Sequence, residues 1–142
     1  MTRTSAEIAA AIDEFQPVDG EWLGLDELLE ELFQTESPES TLGSLFRVFE
    51  RYPTDDGAGV FWGILHGVES IPGYESHLAR SIQSNPSEFS VIMVHRLLNS
   101  GIEEVGGIDG QSLLEDVVQN QSVPEAVRTT AQRLYDKHRK ST

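Results

Sequence analysis

Asn85-Pro86-Ser87-Glu88-Phe89-Ser90-Val91-Ile92-Met93-Val94-His95-Arg96-Leu97-Leu98-Asn99-Ser100-Gly101 contains a complete helix. Asn85-Pro86 opens it. Phe89, Ile92, Met93, Leu97 and Leu98 recur at helical spacing and form an inward stripe. Gly101 stops it, because glycine takes the left-handed cap conformation at little cost. Arg96 and Asn99 stand three residues apart beside the stripe, placed either to cap carbonyls or to line a surface.

The same grammar extends in both directions. Upstream, Asp55 or Asp56 caps a helix from Gly57 to about Ser70, with Val60, Phe61, Ile64, Leu65 and Val68 inside. Its glycines each cost about 1 kcal/mol relative to alanine, which points to close packing against a neighbour. Phe61 and Trp62 are adjacent on a helix and cannot share one face fully: either both pack in the core across neighbouring helices, or one faces the core and the other a groove or partner. Pro72-Gly73 precedes a short helix with Tyr74, Leu78 and Ile82. Downstream, Asp109-Gly110 starts a helix with Leu113, Leu114, Val117 and Val118. Ser122 caps the last one, with Pro124 in its first turn and Ala126, Val127, Ala131 and Leu134 along its inner face. Asp109-Gly110 lacks alternating strands on either side, so no hairpin is expected.

Toward the N-terminus, Ser5 caps a helix containing Ile8, Ala9, Ile12 and Phe15, ended by Pro17, Asp19 and Gly20. Leu25, Leu28, Leu29, Leu32 and Phe33 form the apolar face of a second helix, whose opposite face carries Asp26, Glu27, Glu30 and Glu31. Ser37-Pro38 opens a third, with Leu42, Leu45, Phe46, Val48 and Phe49 buried, and Tyr52-Pro53 closes it. The fold class is therefore all-α: about eight short helices in a compact bundle or a HEAT-like stack of helical pairs, expected to form a single domain over residues 1–142 with a frayed end.

The 142 residues include 24 acidic and 10 basic side chains, a formal net charge of −14, and no cysteine. Disulfides and thiolate metal sites are excluded, and a cytoplasmic location is expected. No run approaches the roughly 20 apolar residues that span a bilayer. The charge opposes nucleic acid and anionic membranes as partners. It is also polarised. Residues 1–56 carry 14 acidic and three basic side chains, a net of −11, and the remainder nets −3. The last stretch reverses sign with Arg128, Arg133, Lys137, Arg139 and Lys140, as the negative end of a helix dipole favours.

Catalytic chemistry is scarce. There is no Gly-x-Ser-x-Gly elbow and no His-Glu-x-x-His. Asp56-Gly57-Ala58-Gly59 lacks the lysine and the preceding strand of a phosphate loop. No EF-hand ligand series occurs. A metal site would require the fold to gather His66, His77 or His95 with a carboxylate such as Asp55. We therefore expect no enzyme activity, no cofactor and no metal.

Two stretches carry a resemblance. Arg51-Tyr52-Pro53-Thr54-Asp55-Asp56-Gly57-Ala58-Gly59-Val60-Phe61-Trp62-Gly63-Ile64-Leu65-His66-Gly67-Val68-Glu69 with Pro72-Gly73-Tyr74-Glu75, followed by the 85–101 segment, resembles small all-helical immunity proteins of bacterial polymorphic-toxin and contact-dependent inhibition systems. The likeness covers residues 51–101. It implies a non-enzymatic cytosolic protein that binds a cognate toxin domain and blocks its active site. A protein of net charge −14 suits a basic partner such as a nuclease domain, because opposite charge speeds and selects association. Asp26, Glu27, Glu30, Glu31, Asp55, Asp56, Trp62, His66, Glu69 and Tyr74 are the candidate partner-binding residues, with Trp22 and Phe33 as further aromatic anchors. A helical-repeat adaptor for another protein is the alternative reading. The sequence leaves the oligomeric state open.

Overall fold

The computed structural model describes residues 3–35 and 38–139. Among these, eight α-helices account for nearly all regular structure, so the protein is all-α. The chain divides into two compact units, residues 1–48 with 55–74 and residues 49–54 with 75–142.

In the first unit, α1 (Ser5–Glu14) begins at Thr4 rather than Ser5. The Thr4 hydroxyl accepts the Glu7 N–H, and the Glu7 carboxylate accepts the Thr4 N–H, a reciprocal capping box. Ile8 and Ile12 point inward from α1, one turn apart, and are fully buried. After α1 the chain reverses through Val18-Asp19-Gly20-Glu21. Asp19 and Gly20 both have positive φ, +53° and +76°, and Val18 pairs with Glu21 across the turn. Asp-Gly suits this geometry because both central residues must adopt left-handed conformations. α2 (Leu23–Leu32) buries Leu25, Leu29 and Leu32. Leu42, Leu45 and Phe46 of α3 (Leu42–Arg51) are buried as well. A 3-10 turn, Gly57–Gly59, leads into α4 (Val60–Glu69), which buries Phe61, Ile64, Leu65 and Val68. Each such side chain gains about 1.5–3 kcal/mol on leaving water. A 3-10 turn over Pro38–Thr41 precedes α3. The proposed Ser37 start of that helix lies outside the described residues.

The second unit contains the end of α3, most of α5 (Tyr74–Ser84), α6 (Glu88–Asn99), α7 (Gly110–Gln119) and α8 (Glu125–Arg139). Phe49 stacks on Phe89 with ring centroids 5.2 Å apart. The start of α6 is Ser87, not Asn85: Ser87 and Ser90 exchange backbone-to-hydroxyl hydrogen bonds inside the protein. The Pro53 carbonyl accepts the next orphan N–H, that of Glu88, at 2.9 Å. Ser122 likewise does not cap α8. The Pro124 carbonyl receives the first helical bonds, from Val127 and Arg128, and Ala126 is exposed.

Contrary to the sequence expectation, a short hairpin precedes α7. β1 (Glu104–Val105) pairs antiparallel with β2 (Ile108–Asp109), Glu104 opposite Asp109 and Val105 opposite Ile108. Gly106 and Gly107, at φ +57° and +84°, make its turn. Gly106 also abuts the backbone of α5, where an added Cβ would stand 3.0 Å from the Ser76 Cα. Asp109 ends the hairpin and caps α7 through the Ser112 N–H, as expected. The residues after 139, where fraying was expected, fall outside the described set.

Candidate protein-binding face

All ten candidate residues fall within the first unit. The charge follows the same division. The first unit holds 14 acidic and two basic side chains, a net of −12, and the second nets −2. Both cations of the first unit are engaged internally. Arg3 binds Glu31 through two nitrogens at 3.0 and 2.6 Å. Arg47 binds Asp13 through two nitrogens at 2.9 Å each. The excess negative charge therefore remains for solvent or a partner.

On α2, Asp26, Glu27 and Glu30 are exposed. Glu31 is half-buried under Arg3, whose hydrogen bonds hold its carboxyl below the usual carboxylate range. Asp55 and Asp56 are exposed, and each also orders the chain: their Oδ1 atoms accept the N–H groups of Gly57 and Ala58. These carboxylates fill the N–H positions that a phosphate loop would keep open. Ala58 itself takes φ +53°, an uncommon strained conformation for a residue with a Cβ.

α4 divides its adjacent aromatics, the second of the two arrangements open to the sequence. Phe61 is fully buried and Trp62 is 41% exposed. Trp62, His66 and Glu69 follow one another at helical spacing on the outer face, and the Trp62 and His66 rings lie 6.5 Å apart. His66 is exposed and Glu69 half-buried. The glycines behave differently from one another. A Cβ on Gly67 would overlap the Phe33 ring, so Gly67 is where α2 and α4 approach. A Cβ on Gly63 would meet nothing within 4 Å.

Tyr74 is a correction. Only 8% of it is exposed, so it belongs to the core and presents no anchor. Trp22 is buried too. It sits between Phe15, at 5.9 Å, and Phe61, at 5.3 Å, and forms the centre of an aromatic cluster. The sequence missed what surrounds that cluster. Val18 is 71% exposed and Leu23 58% exposed. Leu23 follows Trp22 in the chain and Trp62 follows Phe61, so the buried ring pair fixes where both exposed residues emerge. A signal was present: Val18 sits in an Asp-Gly reversal, and Leu23 falls off the α2 stripe of Leu25, Leu29 and Leu32.

His66 and Asp55 lie in the first unit and His77 in the second. Among the described residues no three His, Cys, Asp or Glu side chains converge as metal ligands do. Nor is any described helix long and apolar enough to cross a membrane. Comparison of the chain with protein families, curated proteins and solved structures finds no match.

Proposed function

We propose that this chain is an immunity-type inhibitor, which captures a basic toxin domain and occludes its active site. One observation carries this reading: in the first unit, Leu23 and Trp62, each following a ring of the buried Trp22–Phe61 pair in the chain, and Val18 are exposed, in a unit of net charge −12 whose two cations are already paired. Interfaces that hold tightly combine such apolar anchors with charge complementary to the partner. Asp26, Glu27, Glu30, Asp55 and Asp56 supply the attraction, and Trp62 with Leu23 and Val18 supplies the desolvated contact. Of the stretch that carries the resemblance, Asp55 to Tyr74 belongs to this unit. Carboxylates would then occupy the positions that substrate phosphates take on a nuclease.

The test is co-expression with the C-terminal domain of the protein encoded immediately upstream. We expect rescue of growth and a complex of nanomolar Kd, both lost on Trp62→Ala combined with Asp26→Lys and Glu30→Lys. Absence of both rescue and complex with the unaltered chain overturns the reading.

A further inference from the structure

We propose that His95 and His138 form a proton-operated latch, which holds the C-terminal turns of α8 on α6 and releases them when the medium turns acidic. His95 Nδ1 and His138 Nε2 are 2.7 Å apart, with ring centroids at 4.9 Å. The two residues are 43 positions apart in the chain, and both are half-buried. A bond between two imidazole nitrogens requires one to donate and the other to accept. Neutral rings satisfy this, and so does a pair carrying one extra proton. A doubly protonated pair does not, because both nitrogens are then donors on like charges.

The surroundings resist that second proton. Burial acts first on His95, and the charges of His138, Lys137, Arg133 and Arg96 add to it, holding its pKa below the ordinary 6.5. Burial and Lys137 lower His138 in the same direction, opposed only by a hydrogen bond to the His95 backbone. Carboxylates on the packed elements are placed elsewhere. Glu88 of α6 accepts from Thr130 at 3.0 Å. Glu115 of α7 accepts from Gln119 at 3.2 Å and from Tyr135 at 3.5 Å. Asp116 lines a cleft with Ile82, Gln83 and Asn120, and Glu104 lies in the hairpin. Asp136, two residues before His138 on α8, accepts from Gln132 at 3.0 Å, and no carboxylate is among the groups that shift either ring. The same three cations disfavour a divalent metal between the imidazoles, so the proton is the ligand the pair answers to.

The sign follows from the direction of both shifts. Folded-state values below 6.5 mean that the released form binds more protons. The contribution of the latch is fully present above 6.5 and is lost as pH falls below it.

The test uses the full chain labelled with 15N. Imidazole titration by NMR should give two coupled steps below pH 6.5. Amide-exchange protection factors over residues 132–138, corrected for intrinsic rates, should fall by up to about tenfold per pH unit for each proton taken up. Helices α1 and α2 should show no such fall. His138→Gln, which keeps a hydrogen-bonding group without titrating, should reduce the pH dependence of α8 protection between 7.5 and 5 to at most that of one proton, the one resisted by the still-buried His95. Independent titration of the rings at or above 6.5, protection unchanged by pH in the unaltered chain, or a pH-dependent loss undiminished in His138→Gln each overturns the latch. If His138→Gln does not fold, the titration and exchange of the unaltered chain decide it.

Discussion

The Trp22 indole meets the Phe61 ring edge-on, with centroids 5.3 Å apart and planes at 85°. This is a favourable aromatic arrangement, because the positive ring edge addresses the negative face. It joins the start of α2 to the start of α4 within one unit. Each partner is followed in the chain by an exposed apolar residue, Leu23 or Trp62. Burial and exposure thus fall on residues adjacent in the chain.

That division can be separated by mutation. Trp22→Ala and Phe61→Ala should each destabilise the protein by about 3–5 kcal/mol, the usual result of emptying a large aromatic site. Their double-mutant cycle should show about 0.5–1.5 kcal/mol of coupling. Leu23→Ser should change stability by no more than about 0.5 kcal/mol, as exposed substitutions do, and Trp62→Ala, at a ring 41% exposed, should cost less than Phe61→Ala. Urea unfolding followed by far-ultraviolet circular dichroism measures all of them.

Two glycines in α4, one turn apart, should respond with opposite signs. Gly63→Ala adds a methyl in open space and should stabilise by about 0.5–1 kcal/mol through helix propensity and a less flexible unfolded chain. Gly67→Ala drives the same methyl into the Phe33 ring and should destabilise by about 1–3 kcal/mol, the range for overfilled sites. Phe33→Leu in the Gly67→Ala background should recover part of that loss. Thermal melts of the four proteins give the comparison directly.

Much of the helical layout was legible from periodicity and stop signals. The stripes of α2, α4 and α6 are buried nearly as read, and Asp109 caps α7. The misplaced boundaries share a cause. Thr4 and Ser5 are adjacent residues of similar capping ability, and only the reciprocal bond with Glu7 selects Thr4. Ser87 wins over Asn85 because Ser90 returns its hydrogen bond. The hairpin was missed because its strands have two residues each, too short for alternation to register, although Gly106-Gly107 between Val105 and Ile108 was a turn signal. Tyr74 was read as an anchor from its residue type, yet it starts α5 facing inward, and burial depends on tertiary packing. The His95–His138 pair was out of reach, because nothing local marks a contact across 43 residues.

The N-terminal carboxylates should titrate unusually and respond separately to one substitution. Glu7 is held below its ordinary 4.5 chiefly by the Thr4 N–H, and Glu31 chiefly by the Arg3 guanidinium. Both folded-state values are depressed, so whatever they contribute is present above pH 4.5 and is lost as pH falls through the folded values. Carboxyl carbon shifts in an NMR titration should place both groups below 4.5. Arg3→Ala should return Glu31 toward 4.5 while Glu7 stays depressed, because Arg3 is the least of its causes.

Binding to a basic partner should divide kinetically between the acids and the apolar residues. Asp26, Glu27 and Glu30 are exposed on one helix of a unit that nets −12. Charges of this kind act on the approaching partner over a Debye length, about 8–10 Å near physiological salt. They steer encounter more than they hold the complex. Asp26→Lys with Glu30→Lys should therefore slow association by about tenfold or more at low salt, and the difference should shrink as salt rises. Trp62→Ala should leave association nearly unchanged and speed dissociation, costing about 2 kcal/mol or more if the indole is a central anchor. Surface plasmon resonance at two salt concentrations, with the proposed basic partner domain immobilised, separates the two rates. An acid reversal that changes only dissociation would mean these carboxylates lie inside the buried contact. In that case the Trp62 effect should also depend on them, which a double-mutant cycle would show as coupling above about 0.5 kcal/mol.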